Sequence, residues 1–284
     1  MHKSLLFLLF SAIIRIGKDV RLVKRCFQTK QYEFTYSENH VDSYVLWDNH
    51  CHARYEMIAV LEGDISIMLE GRCCRLTEDQ YIIIPPLLYH AVTANKQGDY
   101  KRVTAFFDIQ AVPSVLREEF TQNDAQPAIY SSSLIKDIRI CCQEEKAAYY
   151  EPLIESLMIP LFYNSLKAPA AGIGDTEVDQ FILKLIKYID DNLCKRITLE
   201  DLARYTARSK SFICHRFREI MGIPPGQYVL QKKMAFAQKM IQEGHPPTLV
   251  ASQIGYKNYG TFYRMYIQHF RSAPSLKQAS GASV

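Results

Sequence analysis

The stretch Thr248–Lys277, TLVASQIGYKNYGTFYRMYIQHFRSAPSLK, leaves this chain the fewest ways to fold. Leu249, Ile254, Phe262, Tyr266 and Phe270 are its apolar anchors. Gly255 breaks the first run. Asn258 then stands where a helix N-cap belongs, because its short side chain accepts from the unpaired N–H groups of a first turn. From Tyr259 onward, Phe262, Tyr266 and Phe270 recur at i, i+4 and i+8 and so share one helical face. A short helix, a glycine turn and a second helix with a buried seam make a helix-turn-helix pattern.

The same skeleton recurs about fifty residues upstream, and repetition of this kind is hard to obtain by chance. Leu199–Tyr228 reads LEDLARYTARSKSFICHRFREIMGIPPGQY. Ala203 matches Ala251, Ile213 matches Phe262, Phe217 matches Tyr266 and Pro225 matches Pro274, with a one-residue slip in the turn. Thr198-x-x-Asp201 is a start of the capping-box kind, and Ser209 is the N-cap expected for the second helix, with Phe212, Ile213 and Phe217 as its buried residues. Gln227 to Gln242 reads as one long helix between the copies, seamed by Val229, Leu230, Met234, Ala237 and Ile241 and stopped at Gly244-His245-Pro246-Pro247. Ahead of both, Phe181, Ile182, Leu185, Ile189 and Leu193 form one further helical stripe.

Charge separates the two halves of the chain. Residues 176–284 hold sixteen Lys and Arg against eight Asp and Glu, a balance of +8, whereas the rest of the chain stands at −4. A basic C-terminal half fits a polyanionic partner. Two helix-turn-helix units joined by one long helix resemble the DNA-binding domain of AraC-type transcriptional regulators. The residues that carry the resemblance are Leu202-Ala203, Ser209, Phe217, Gly222, Pro225 and Tyr228, then Ile254-Gly255-Tyr256, Phe262, Arg264, Tyr266, Phe270 and Pro274.

The resemblance implies that the second helix of each unit enters a major groove, with the two readers about 34 Å apart. Side chains opposite the buried stripes then face base edges. These are Lys210, Ser211, Cys214 and His215 in the first reader, and Tyr259, Gly260, Tyr263 and Arg264 in the second, with Asn258 at its head. Arg264 is the strongest candidate, since its fork matches guanine O6 and N7. Arg208, Arg216, Arg218, Lys257 and Gln268 are the expected phosphate contacts. The resemblance further implies double-stranded promoter DNA, RNA polymerase and a small-molecule effector as partners, a homodimer, activation of transcription and a cytoplasmic location.

Residues 31–110 read as β-structure. YEFTYSE, SYVLW, YEMIAVLEG, DISIMLEG, RCCRLTE, QYIIIPP and KRVTAFFDI are short runs rich in β-branched and aromatic residues, punctuated by Gly63, Gly71 and Pro85-Pro86. Within them His50, His52, Glu56 and Gly63 form H-x-H-x3-E-x6-G, and His90 follows a strand later. His50 and His52 lie two apart and share a face of an extended strand. This pattern resembles the cupin β-barrel, although Leu87-Leu88 replace the glycine usual after Pro86. Three imidazoles and a carboxylate suit a first-row divalent metal. A polar ligand-binding mouth and a hydrogen-bonded framework are the other readings. We assign the four residues to effector contact, with no metal or other cofactor.

The expected fold is therefore α+β in two domains, a cupin-like barrel with dimerisation helices and an all-α domain with two helix-turn-helix motifs. Residues 1–29 read as an N-terminal extension or, in part, a short core helix. The apolar run Leu5–Ile14 is too short for a bilayer, which needs about 20 residues, so no membrane partner is expected. Residues 30–112 form the sensor barrel and 113–167 a helical dimerisation region. There Leu153, Ile154, Leu157, Leu161, Phe162 and Leu166 make either a dimer seam or a face packed on the barrel, Pro152 opens a helix and Pro160 kinks or interrupts it. Residues 168–176, small and turn-rich, read as a linker, and 177–284 as the DNA-binding domain.

With 48% hydrophobic and 23% charged residues, disorder is excluded. The eight cysteines contain no CxxC pair, which removes zinc-ribbon and thioredoxin readings and leaves reduced cytosolic thiols. The leading function is an effector-responsive transcription regulator. A metal-dependent cupin enzyme fused to a DNA-binding arm and a ligand-independent DNA-binding dimer are the alternatives.

Overall fold

The computed structural model describes residues 12–15, 20–41, 50–95, 98–123, 127–143, 147–167, 169 and 179–275. The SYVLW run, most of Leu5–Ile14, Lys277 and the linker, apart from residue 169, lie outside the described residues. The chain divides into two compact units. One is drawn from residues 1–48, 54–86 and 91–176, the other from 49–53, 87–90 and 177–284.

The first unit is built on two sheets. The larger runs β1 (Ala12–Arg15), β2 (Val20–Gln28), β3 (Tyr32–Val41), β9 (Gly98–Phe107), β4 (Tyr55–Glu62), β7 (Gln80–Ile84) and β10 (Ile129–Ser131), with every neighbouring pair antiparallel. The smaller runs β6 (Arg72–Thr77), β5 (Asp64–Leu69) and β8 (His90–Ala94). Among the described residues these strands form two open sheets, not the closed barrel expected from the sequence. Gly63 at φ +98 turns the chain from β4 into β5, and so from one sheet to the other. Pro85 and Pro86, which lack N–H donors, end β7.

The larger sheet also starts earlier than expected. Residues 20–28, placed in the N-terminal extension by the sequence, pair along β3 from Val20↔Val41 to Gln28↔Glu33. Their turn carries neither Gly nor Pro. The Thr29 hydroxyl closes it instead, accepting from the backbone N–H of Tyr32 at 2.9 Å and of Gln31 at 3.2 Å.

β4 lies inside the larger sheet, between β9 and β7, and residues Tyr55 to Val60 are buried without a break. Tyr55, Met57 and Ala59 face a core shared with Tyr81, Ile83, Val103, Ala105 and Phe107. By the two-residue period, Glu56, Ile58 and Val60 take the opposite face. Against the first face pack α2 (Leu134–Gln143) and α3 (Ala147–Ser165). Ile154, Leu161 and Phe162 are buried there, Leu157 and Leu166 partly so, and the Tyr81 hydroxyl donates to Leu161 O at 2.8 Å. The apolar face of α3 is thus occupied within one chain, while Tyr149, Ile159 and Tyr163 stay exposed. α3 is continuous through both Pro152 and Pro160, against the expected break. Each proline removes a single donor, and the buried residues on either side of Pro160 hold the helix in place.

The second unit contains α4 (Gln180–Asp191), α5 (Leu199–Thr206), α6 (Lys210–Met221), α7 (Pro225–Gln242), α8 (Pro247–Gln253) and α9 (Tyr259–Phe270). Its caps follow the side-chain chemistry. Asp179 accepts from Phe181 N and Ile182 N. Thr198 and Asp201 complete a reciprocal capping box, at 3.2 and 2.9 Å. Ser209 accepts from Phe212 N, and Asn258 from Thr261 N.

The two turns coincide at left-handed residues, Ala207 at φ +51 and Gly255 at φ +86. The next N–H returns in each case to the matched alanine, Arg208 N to Ala203 O and Tyr256 N to Ala251 O. The slip follows that point, since Arg208 alone precedes Ser209 whereas Tyr256 and Lys257 precede Asn258. Two expected core residues are outside. Phe212 is 44% exposed, its ring 5.3 Å from that of Phe181 and the Arg208 guanidinium 5.5 Å above it. Leu249 is 45% exposed, because the α8 seam runs through Val250 and Ile254, four apart.

Lys233 on α7 is buried, and its ammonium donates to three carbonyls, Leu193 at 3.0 Å, Lys195 and Ile254. Burial pushes its pKa down to about 8. Gly255 lies against the same loop. A Cβ there would stand 2.8 Å from Arg196 N and 2.9 Å from Lys195 C. Gly255→Ala should therefore destabilise the chain by about 1–3 kcal/mol, through left-handed strain and the forced shift of residues 195–196. Denaturant unfolding of the full chain measures this, with Gly226→Ala, where a Cβ meets nothing within 4 Å, as the control.

Candidate functional site

α6 buries Ile213, Phe217 and Met221 in one stripe, which turns Lys210, Ser211, His215 and Arg218 outward and leaves Cys214 half-buried. α9 buries Phe262 and Tyr266, which turns Tyr259, Gly260, Tyr263, Arg264 and Gln268 outward. Asn258 is exposed but spends its side chain on the α9 cap. A Cβ on Gly260 would stand 3.1 Å from Asn258 Oδ1, so the cap favours the small residue. Lys257, Asn258 and Thr261 line a cavity of about 370 Å³ together with Arg196, Lys233 and Gly255.

The basic side chains are not equivalent. Arg216 donates to Asp179 at 2.6 Å and to Glu219 at 2.9 Å, and Lys210 pairs with Glu200. These contacts neutralise both. Arg218, Lys257 and Arg264 are exposed and, among the described residues, make no ion pair. The difference is not visible in sequence, because Asp179 and Glu200 lie on other elements.

The second candidate site is the histidine cluster. His50 and His90 form a β-bridge, each N–H donating to the other's carbonyl at 3.0 and 2.9 Å. Ring centroids are 4.5 Å apart for His50–His90, 5.1 Å for His52–His90 and 5.6 Å for His50–His52. Glu56, on β4 of the first unit, is 5% exposed. Exposure falls from His50, open to solvent, through His52 to buried Glu56 and His90. His90 Nδ1 lies 2.9 Å from Leu88 O. A carbonyl only accepts, so Nδ1 carries a proton, and in the neutral ring Nε2 keeps its lone pair.

Residues 49–53 and 87–90, which carry the three histidines, belong to the same compact unit as residues 177–284. Leu87 stands at φ +69, the left-handed region, after Pro86 in a position that a glycine fills at no cost. Its N–H donates to His52 O at 2.8 Å, and its carbonyl accepts from Lys232 Nζ on α7, also at 2.8 Å. Lys232 is buried and pairs with Asp190 at 2.9 Å. The buried Tyr89 ring lies 5.0 Å from Tyr228, which lies 5.2 Å from Phe217 on α6. Sequence reading missed Leu87, Tyr89 and Lys232. The one visible signal was a leucine at a step where glycine is usual.

Comparisons with known proteins match both the β-rich part and the helix-turn-helix part of the chain. The AraC-like ligand binding domain matches residues 31–161, and a helix-turn-helix domain matches residues 202–278. The chain belongs to the AraC-type transcriptional regulators. This AraC-type chain is 26% identical over 233 residues to an uncharacterized HTH-type transcriptional regulator, YdiP, of Escherichia coli, covering 78% of this chain and 77% of that one. It is 22% identical over 232 residues to another, YobQ, of Bacillus subtilis, covering 81% and 88%. It is 25% identical over 119 residues to the HTH-type transcriptional activator AarP of Providencia stuartii, covering 42% of this chain and 88% of that one. Among the described residues of this AraC-type regulator, no helix is long and apolar enough to cross a membrane.

Lys232→Met should leave Leu87 O and Asp190 without their cation and lower stability by about 2 kcal/mol. Faster hydrogen exchange at the Leu87 amide, read by mass spectrometry on the full chain, is the local signature expected.

Proposed function

We propose that this AraC-type protein is an effector-responsive activator that reads promoter DNA with α6 and α9 and senses its effector at His50, His52, Glu56 and His90. The single observation that carries the DNA reading is the pair of exposed helix faces, each backed by a buried i, i+4 stripe in a matched motif. Ser211, Cys214, His215, Tyr259, Gly260, Tyr263 and Arg264 take the base edges. Arg218, Lys257, Gln268 and Arg208 take phosphates. Arg216 and Lys210 join them only by exchanging carboxylates for phosphate, because Asp179, Glu219 and Glu200 hold them in the free protein. Asn258 acts through its cap, which orients the first turn of α9.

The domain scheme keeps a sensor over residues 30–112, a helical region over 113–167, a linker over 168–176 and a DNA-binding domain from 177. The pairing of β2 with β3 supports moving the sensor's start back to residue 20. The protein acts in the cytoplasm as a homodimer, joined through the exposed side of the helical region, and works with RNA polymerase at the promoter. We assign it no catalytic role, in keeping with the regulators it is similar to.

Arg264→Ala should cost about 1–3 kcal/mol at the operator and relax preference at one base pair, whereas Lys257→Ala should weaken all sequences alike. Affinities of both variants on single-base operator variants test the contrast. Uniform loss in Arg264→Ala would make Arg264 a phosphate clamp.

For the effector site, thermal-shift screening compares the wild-type chain with His52→Ala. A stabilising ligand whose shift disappears in the variant is the expected result, since a ligand stabilises the state it binds. A shift of equal size in both would place the effector elsewhere.

A further inference from the structure

We propose that the cavity at the head of α9 binds a small organic carboxylate with an apolar body, and that the bound carboxylate takes Lys257 away from DNA. The second half of the proposal rests on the reading of Lys257 as a phosphate contact. The site is separate from the histidine cluster and acts without the β-rich unit.

The cavity lies wholly within the second unit. Its volume of about 370 Å³ falls at the small end of the roughly 300–1,000 Å³ usual for small-molecule sites. Three segments build it: the loop before α5, the first half of α7, and the turn that leads from α8 into α9. Its charge is one-sided. Arg196, Lys233 and Lys257 line it, and none of the described lining residues is acidic. Lys233 spends its ammonium on three carbonyls. Arg196 and Lys257 are exposed and, among the described residues, make no ion pair. The cavity is therefore lined by two cations with no carboxylate of the protein to neutralise them.

The rest of the lining selects among anions. Ile197, Val229, Leu230 and Ile254 add aliphatic surface, and Val229 and Ile254 are buried. Gly226 leaves room beside them, since a Cβ there meets nothing within 4 Å. An inorganic anion would satisfy the cations but set a hydrated charge against aliphatic walls. A phosphate fixed in a duplex backbone has no apolar part to reach Val229 and Ile254. An organic carboxylate meets both demands, because the Arg196 guanidinium offers a fork that matches its two oxygens and the walls take its hydrocarbon.

Occupancy bears directly on the second reader. A carboxylate seated between Arg196 and Lys257 neutralises Lys257, so the duplex loses one phosphate contact. That loss carries no base information and weakens all sequences alike. Asn258 and Thr261 line the same cavity, and the Thr261 N–H is the donor that Asn258 caps at 3.2 Å. The occupant thus also touches the first turn of α9.

The test uses the full chain with labelled Ile, Leu and Val methyls and three probes, 3-phenylpropionate, benzoate and cyclohexylacetate. 3-Phenylpropionamide controls for the charge and acetate for the apolar body. Saturable methyl shifts at Ile197, Val229 and Leu230 are expected with at least one probe, with nuclear Overhauser contacts to its hydrocarbon and neither effect from the controls. Arg196→Ala, at an exposed position that leaves the fold intact by Tm, should bind that carboxylate roughly tenfold more weakly. At constant ionic strength, saturating carboxylate should weaken binding to a duplex of unrelated sequence by roughly three- to tenfold, as read by fluorescence anisotropy. The effect should be lost in Lys257→Ala.

No saturable shift with any probe, or equal shifts from the amide, overturns the site. A carboxylate that binds there and leaves duplex affinity unchanged overturns its hold on DNA. The underlying reading fails by a different measurement. If Lys257→Ala without carboxylate binds duplex as tightly as the wild type, Lys257 is no phosphate contact, and the methyl shifts alone decide the site.

Discussion

The second unit depends on the seating of one turn against one loop. Lys233 brings the carbonyls of Leu193, Lys195 and Ile254 to a single ammonium, and Gly255 lets the turn approach within contact of residues 195–196. Three carbonyls from two separated segments converge on one cation because each follows the end of a helix, where backbone acceptors lack intrahelical donors. Remove the charge and three buried acceptors are orphaned; add a methyl at Gly255 and the segments separate. The orientation of α9 follows from this seating, since Asn258 and the first turn of α9 begin three residues after Gly255.

The same helix that carries Lys233 carries Lys232, and the two adjacent lysines serve different neighbours. One holds the turn of the second motif. The other holds Leu87, three residues before His90 in sequence and bonded through its N–H to the carbonyl of His52. Helix geometry makes this division possible, because successive residues point about 100° apart. α7 is therefore both the spacer between the two helix-turn-helix motifs and the element to which residues 87–90 are fastened.

Most of the helical half was legible because its signals are local. Asn258, Ser209 and Thr198–Asp201 act within four residues of their own position, and the Phe262–Tyr266 seam is a period. The proximity of the histidines was legible for a similar reason, since H-x-H keeps two imidazoles close and His90 needed one pairing to join them, although residues 51–54 form no strand. What escaped was set by distant partners. Arg216 looks like any surface arginine until Asp179 is beside it, and Phe212 looks like core until Ile213 and Phe217 are seen to fill it. Lys233 left a trace that was passed over, for it falls on the stripe Val229, Ala237 and Ile241 at four-residue steps, a charge at a core position. The β2 strand was missed because Thr29 closes its turn without Gly or Pro, and the barrel was over-read because strand-rich sequence does not reveal whether edges close.

The length of α7 has a consequence for the DNA rather than for the protein. Eighteen residues make a rod about 27 Å long. It is buried from Tyr228 to Ile241 on the faces that meet its neighbours, so it has little room to bend or rewind. Each base pair inserted between two half-sites carries the far one around the duplex axis by about 34–36° as well as along it, since a turn holds about 10–10.5 base pairs. A rigid spacer cannot follow that rotation. For a regulator that engages both grooves at once, promoter evolution is therefore free to exchange letters within each half-site but is locked to the helical phase between them.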